Sequence, residues 1–565
     1  MTSLTPSGGL GRSRDVPVSP LALRAVQWVR DQPEEVLCRL AGRAPRETTF
    51  AEMAVLADRT AAALARAGVR AGTRTAVMVP PGPELWAALL ALARLRAVPV
   101  LVDPGLPFAA VRRCLDRARP EAFIGIPLAQ AARLALGWGR SSARIVVTVG
   151  PGRLWWGRTI DGLRAAAADD ACSWPVPVLD DLALIGFTSG STGPPKGVPL
   201  RHRHLVAQLE GLDTLGALGP GVVMLSPFVP FALGATAFGA TALIPDIDPR
   251  RPGRAKPAVL AADIRRHRVT AMFAPPALLD RLARHCSARG IVLDSLRHVL
   301  VAGAPLPIGT RERMRAALDD GARLVSVYGA TECLPVAAIE SRDLARTAEA
   351  TAAGEGTCLG VPLPGAEVRV IGVTDEPIAR WSPDLEVPPG TVGEITVAGP
   401  AVGDPYLDDP GATALARIAD GDRVWHRMGD LGRVDGEGRL WFAGRKSERV
   451  RTGGGDLYTD QVEPIFDALP GIARTALVGV GAASAQRPVL VVQPEPGATR
   501  AQRIRLAIRI RAAAARYPHT AGIRDVLFRR RLPVDARHES KIRRGELAGW
   551  AARRLGTGRL IGGGR

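Results

Sequence analysis

Between residues 49 and 149, short apolar runs that suit β-strands alternate with helix-length segments, and this alternation leaves the chain few architectures to choose from. A strand buried on both faces needs helices above and below it, so the pattern predicts a mostly parallel sheet with crossover helices. Thr49 and Glu52 have capping-box spacing, and Met53, Leu56, Ala57, Ala61 and Leu64 then recur on one helical face until Gly68 stops the run. TAVMV (75–79), a helix from Glu84 to Leu95 and VPVLVD (98–103) form a βαβ unit. A helix over 109–118, a strand near Phe123 and ARIVVTV (143–149) extend it. From about 355 to 443 the pieces VRVI, GEITVAG, RVWHRMGD and GRLWFAGR are separated by turn residues, which predicts a separate small antiparallel β subdomain. Beyond Gly444 short α/β elements return. With 565 residues, 47% apolar and 23% charged, the chain is neither disordered throughout nor a disulfide-stapled miniature.

The strand LALIGF runs straight into Thr188-Ser189-Gly190-Ser191-Thr192-Gly193-Pro194-Pro195-Lys196-Gly197. Glycines open backbone conformations closed to other residues, and hydroxyls beside exposed N–H groups make a nest suited to a polyphosphate. The pattern G-x-x-x-x-G-K-[ST] cannot be laid over it, so it is not a P-loop; a plain surface turn is the alternative reading. Composition sharpens the lysine. Of 74 basic residues only four are lysines (196, 256, 446 and 541), which marks each as a candidate for a place where a planar guanidinium will not serve.

The net charge is +19, and residues 500–565 hold 18 basic against 4 acidic residues. Such a surface is either a solvated face or a seat for an anionic partner: a nucleotide, an acidic protein or a membrane surface. Nucleic acid is not expected, since aromatics are 4% and no RNA- or DNA-binding pattern is visible. Six scattered cysteines without a CxxC pair, an N-terminus without an apolar signal core, and apolar runs broken by Arg94 and Arg96 or too short, as over 231–245, predict a reducing cytoplasmic setting. No zinc and no transmembrane segment are expected, and peripheral membrane contact stays open.

FTSGSTGPPKG resembles the phosphate loop of the adenylate-forming superfamily, which holds acyl-CoA synthetases, nonribosomal-peptide adenylation domains and luciferases. Further matches follow in that superfamily's order: VAGAPL around Gly303 and Ala304, YGATE at 328–332, RMGD at 427–430, GRKSERV from 444, and Lys541-Ile542. The resemblance implies an α/β fold with an N-terminal domain over 1–443, built of two α/β sheets plus the β subdomain (355–443), and a smaller mobile α+β lid domain over 444–565. It implies ATP as cosubstrate with Mg²⁺. Thr188, Ser189, Gly190, Ser191, Thr192, Gly193 and Lys196 would line the phosphates. Tyr328 would stack on adenine, with Gly303 and Ala304 along the purine edge and Gly329 and Thr331 beside them. Glu332 would offer Mg²⁺ a hard oxygen, with Thr188 or Thr192 beside it. Asp430, read as part of a loop, would accept from the ribose hydroxyls and Arg445 would donate to the same sugar. Lys541 would meet charge developing on the carboxylate and α-phosphate. Taken singly, each has an ordinary reading: a core tyrosine, a surface acid, an Asp-Leu-Gly turn, a basic-tail lysine.

Two positions depart from the superfamily pattern. Ser447 stands at the hinge where Asp or Lys is common, and SPFVPFALG (226–234) lacks the histidine of many acyl tunnels, with Ala232 in its place. WHRMGDLGRVDGEGRLWFAGRKSERVRT, GEGTCLGVPLPG (354–365) and LPVDARHESKIRR, in which Arg537, His538, Lys541 and Ile542 fit R-H-x-x-K-I, are similar to the β-lactone synthetases of bacterial olefin and nocardiolactone-type pathways. That resemblance implies activation of a long-chain 2-alkyl-3-hydroxy acid as its acyl-AMP and closure of a β-lactone with release of AMP. Other enzymes of the same lipid pathway would be partners, and His538 would orient or deprotonate the 3-hydroxyl. The segment 227–242, with Phe231, Ala232, Gly234, Ala235 and Gly239, is expected to line an apolar acyl channel, plain core packing being the alternative. An acyl-CoA or acyl-AMP ligase shares the first half-reaction, and a noncatalytic nucleotide-binding protein is the competing class.

Overall fold

The computed structural model describes residues 18–42, 46–151, 157–167, 174–188, 194–248, 254–535 and 541–556. Thr49 caps the helix Phe50–Ala67 as its spacing predicts: its hydroxyl accepts from the Glu52 N–H, its own N–H donates to the Glu52 carboxylate, and Gly68 ends the helix at φ +107°. A seven-stranded sheet follows, in the order Arg158–Thr159, Ile145–Thr148, Ala122–Gly125, Arg74–Met78, Val98–Val102, Leu182–Thr188, Lys196–Arg201, parallel except for the last pair. Its side chains alternate. Ala76 and Phe123 pack with Val111, Cys114 and Leu115 of the helix Phe108–Ala118, whereas Val77 and Ile124 pack on the other face with Phe50, Met53 and Trp86. Both faces are covered, which is why these strands read as continuous apolar runs.

The second sheet has 14 strands. Val36–Leu40, Thr241–Ile244, Val223–Leu225, Ala271–Ala274, His298–Ala302 and Arg323–Ala330 run parallel. Cys333–Glu340 then turns back and starts an antiparallel half: Thr357–Pro362, Leu440–Arg445, Arg423–Val434, Gly393–Ala398 and Glu367–Ile371. The antiparallel β portion expected over 355–443 is present, with one correction: it is not separate. Ala337 and Ala338 pair with Pro362 and Val361, so it continues the second sheet's ladder. Towards the C-terminus, Ile472–Val480, Arg487–Pro494 and Asp525–Phe528 form a three-stranded sheet. The helices Thr459–Asp467 and Arg500–Ala514 pack on one face of it and Arg544–Arg554 on the other. The fold is the α/β architecture expected, a large N-terminal part and a smaller C-terminal one.

Candidate active site

Ligands of open α/β sheets sit beyond the carboxyl ends of the strands, and several sequence-predicted residues stand there. Thr188 ends its strand and pairs across the hairpin with Lys196. Residues 189–193, the Thr188 side chain, and Arg537 and His538 lie outside the described residues. Gly303 follows His298–Ala302 at φ +97°, a left-handed conformation that suits glycine, and Ala304 comes next. Tyr328 lies near the end of Arg323–Ala330, beside a bulge at Gly329. Thr331 packs on the strand Leu182–Thr188, its methyl 3.8 Å from where a Cβ on Gly186 would sit.

Asp430 corrects the sequence reading. It lies inside the strand Arg423–Val434 rather than in a loop, 1% exposed, in register with Arg445 on the neighbouring strand. Arg445 Nη1 stands 2.6 Å from its Oδ1, and the Tyr328 hydroxyl donates to Oδ2 at 2.8 Å. Burial pushes the Asp430 pKa up, against the pull of Arg445, the Tyr328 hydrogen bond and the charge of Lys541. Arg445 is pushed up chiefly by Asp430, with Glu448 and Glu332 adding to it. Burial and the neighbouring carboxylate hold the Tyr328 hydroxyl well above its usual value, so it stays a donor. Three residues from separate motifs thus act on the Asp430 carboxylate, and Lys541, 111 positions further along the chain, is near enough for its charge to be felt there.

Glu332 anchors a second group, which sequence reasoning missed in part. Its Oε1 accepts from the Tyr406 hydroxyl at 2.8 Å. Lys196 Nζ lies 4.6 Å from the centroid of the Tyr406 ring, a cation–π contact, and His426 meets that ring edge-on at 6.4 Å. Burial drives the His426 pKa down to about 4, so the imidazole is neutral at pH 7. Tyr406 carried a usable signal: it is one of only four tyrosines.

The lysine at 446 has a structural part. Its Nζ is 2.9 Å from Oε1 of the fully buried Glu394, whose Oε2 also accepts from Arg427, and it donates to the Thr374 carbonyl. Ser447 is exposed in the single turn Lys446–Glu448. Glu448 accepts from Arg544 Nε at 2.8 Å, and Arg544 also donates to Glu463. The backbone of Lys541 is held by Asp535, whose Oδ1 accepts from the Lys541 N–H at 2.9 Å.

The expected acyl-pocket residues are packed against protein. Phe231 stacks on Phe273 at 3.7 Å, Ala235 is 1% exposed, and a Cβ on Gly234 would meet Leu209 at 2.6 Å. Gly239, at φ +80°, lies under the Trp28 ring. Ala232 lines a cavity of about 230 Å³ together with Trp86, Ser226, Pro227 and Ile244.

Residues 26–407 match the family described as AMP-binding enzyme. The chain is 47% identical over 549 residues to the olefin beta-lactone synthetase of Stenotrophomonas maltophilia, spanning 95% of this chain and 98% of that protein. It is 46% identical over 545 residues to the olefin beta-lactone synthetase of Xanthomonas campestris pv. campestris, spanning 94% and 97%. Among solved structures, the amide bond synthetase McbA from Marinactinospora thermotolerans superposes with a TM-score of 0.78 at 25% identity, over 95% of this chain and 100% of that one. The O-succinylbenzoate coenzyme A synthetase MenE from Bacillus subtilis, solved with ATP and magnesium ion, shares the fold with a TM-score of 0.73 at 21% identity, over 93% and 98%. With its motifs gathered at the ends of two α/β sheets and a family match over most of its length, the chain belongs to the AMP-binding enzyme family.

Proposed function

We propose that the chain is an ATP-dependent β-lactone synthetase acting on a long-chain 2-alkyl-3-hydroxy acid. The observation that carries the nucleotide half of the reading is the gathering of Tyr328, Arg445 and the charge of Lys541 on Asp430. The two bacterial relatives that share almost the whole length of the chain carry the lactone half. A carboxylate oxygen of the acid attacks the α-phosphorus of ATP and pyrophosphate leaves. The 3-hydroxyl oxygen then attacks the acyl carbon, the bond to AMP breaks, and the hydroxyl proton passes to a base, for which His538 is proposed. Because the nucleophile is already part of the substrate, closure is unimolecular, and holding the hydroxyl beside the anhydride does the work of a second substrate.

Asp430 and Arg445 hold the ribose, Lys196 and the phosphate loop hold the phosphates, and Lys541 meets charge that develops in transfer. Glu332 suits Mg²⁺ by the chemistry of its carboxylate: Oε1 is held in place by the Tyr406 hydroxyl, and the group offers a hard oxygen to an ion that takes most of its ligands from phosphate and water. Bound there, Mg²⁺ would neutralise phosphate charge. Residues 444–565 serve as a lid pivoting at Ser447. The test is incubation with ATP, Mg²⁺ and the 3-hydroxy acid without coenzyme A. AMP, pyrophosphate and a β-lactone are expected, with at most slow adenylate formation from the matching 3-deoxy acid. A thioester as the only acyl product, formed only with coenzyme A, overturns the proposal in favour of an acyl-CoA ligase.

A further inference from the structure

Alternate side chains of the three-stranded sheet go to opposite faces. Leu477, Leu490 and Val492 pack with the helices Thr459–Asp467 and Arg500–Ala514, whereas Val478, Val489 and Val491 pack with Ile542, Leu547 and Ala551. The Arg500–Ala514 helix therefore covers the face turned away from the segment that carries Lys541. Its inward stripe is Leu506, Ile510, Ala513 and Ala514. Outward, Ile504 and Ile508 stand one turn apart, 55% and 60% exposed. Arg500, Arg503, Arg505, Arg509 and Arg511 surround them, all exposed, and residues 496–524 hold seven arginines and no carboxylate. Arg509 donates to the Pro470 carbonyl, which leaves its charge unneutralised.

A solvated basic face has no use for two exposed isoleucines, and neither does a surface built only to attract a polyanion. We propose that the outward face of this helix docks the protein on an anionic lipid surface. The two kinds of side chain match the two layers of such an interface: guanidinium groups meet lipid phosphates, and the isoleucines reach the boundary with the acyl chains. Docked in this way, the opposite face with Lys541 stays open. The charges are all arginines, so the attraction persists unchanged from mildly acidic to mildly basic pH.

The test is sedimentation of the full-length protein with sucrose-loaded vesicles of phosphatidylcholine alone or mixed with phosphatidylglycerol. The protein is expected to pellet with the mixed vesicles only, and less so at high salt. Replacing three arginines together (R503Q, R505Q, R511Q) should lower the partition by about 100-fold, taking about fivefold for each. Replacing the isoleucines (I504S, I508S) should lower it by about tenfold at constant charge. Unchanged thermal unfolding in both variants shows that the fold is intact. Absence of pelleting with mixed vesicles, equal pelleting with both kinds, or wild-type partition in the variants overturns the proposal. So does retention on heparin without any vesicle binding, which assigns the helix to a soluble polyanion.

Discussion

Tyr406 touches both the carboxylate of Glu332 and the ammonium of Lys196, so its hydroxyl and its ring can be tested apart. Tyr406→Phe keeps the ring and removes a hydrogen bond to a carboxylate; KM for Mg·ATP should rise by about tenfold, with a smaller change in kcat. An unchanged KM in pyrophosphate-exchange assays would show that the hydroxyl is idle. His426 makes a prediction about pH. Its pKa falls from 6.5 to about 4 on burial, so the folded state favours the neutral ring. The associated stability is complete above pH 6.5 and is lost as pH falls towards 4, amounting to about 2 kcal/mol by pH 5. In urea unfolding, His426→Asn should lose less stability between pH 7.5 and 5 than the wild type by about this amount. His204, also held near 4 by burial, keeps part of the slope in both proteins. Scarcity made some of this legible. Few lysines pointed to Lys196 and Lys541, and the same argument applied to tyrosine reaches Tyr406, but only the fold shows that it meets an acid 74 positions away.

At the scale of elements, the βαβ run from 49 to 149 is readable because its strands are covered on both faces and its first helix, Phe50–Ala67, carries its own cap. The loop expected around Asp430 is a strand for an equally physical reason. Gly429 and Gly432 imitate turn composition, yet Gly429 takes φ +66° within one long strand, and a Cβ on Gly432 would lie 2.2 Å from the Trp441 carbonyl oxygen. They serve a bulge and a close strand approach, which local sequence cannot distinguish from a turn. The apolar segment after Pro227 is a similar case, since a lining and a core have the same composition. Gly239→Ala should cost about 1–2 kcal/mol in thermal unfolding, because φ +80° is unfavourable for alanine and the Trp28 ring lies 3.1 Å from the new Cβ. Ala232→Leu instead narrows the cavity of about 230 Å³. It should shift preference towards shorter acids in competition assays, and an unchanged preference would separate that cavity from the acyl chain.

Across the whole molecule, the two halves of the site come from parts of the chain that meet only in the folded state. In the proposed role, Lys541→Ala should slow adenylation by about 10²–10³, because it would remove a charge that acts on the transition state. Asp430→Ala should mainly weaken ATP binding, because the ribose contacts proposed for it would be the same before and during transfer. Equal pyrophosphate exchange by wild type and the Lys541 variant would rule out the lysine's role. The Tyr328–Asp430 hydrogen bond has a geometric consequence as well. Between their strands lie Cys333–Glu340, Thr357–Pro362 and Leu440–Arg445, so a flat sheet would hold the two strands about 19 Å apart at the usual spacing. Even with a tyrosine and an aspartate reaching towards each other, the 2.8 Å contact requires that half of the sheet to curl, with Val336, Leu359, Ile395 and Phe442 packed together in one cluster. The gap between Tyr328 and Asp430, the proposed adenine and ribose sides, is set by that curvature, and substitutions that relax the curl in Thr357–Pro362, a strand with none of the candidate site residues, should loosen nucleotide binding without touching a single contact.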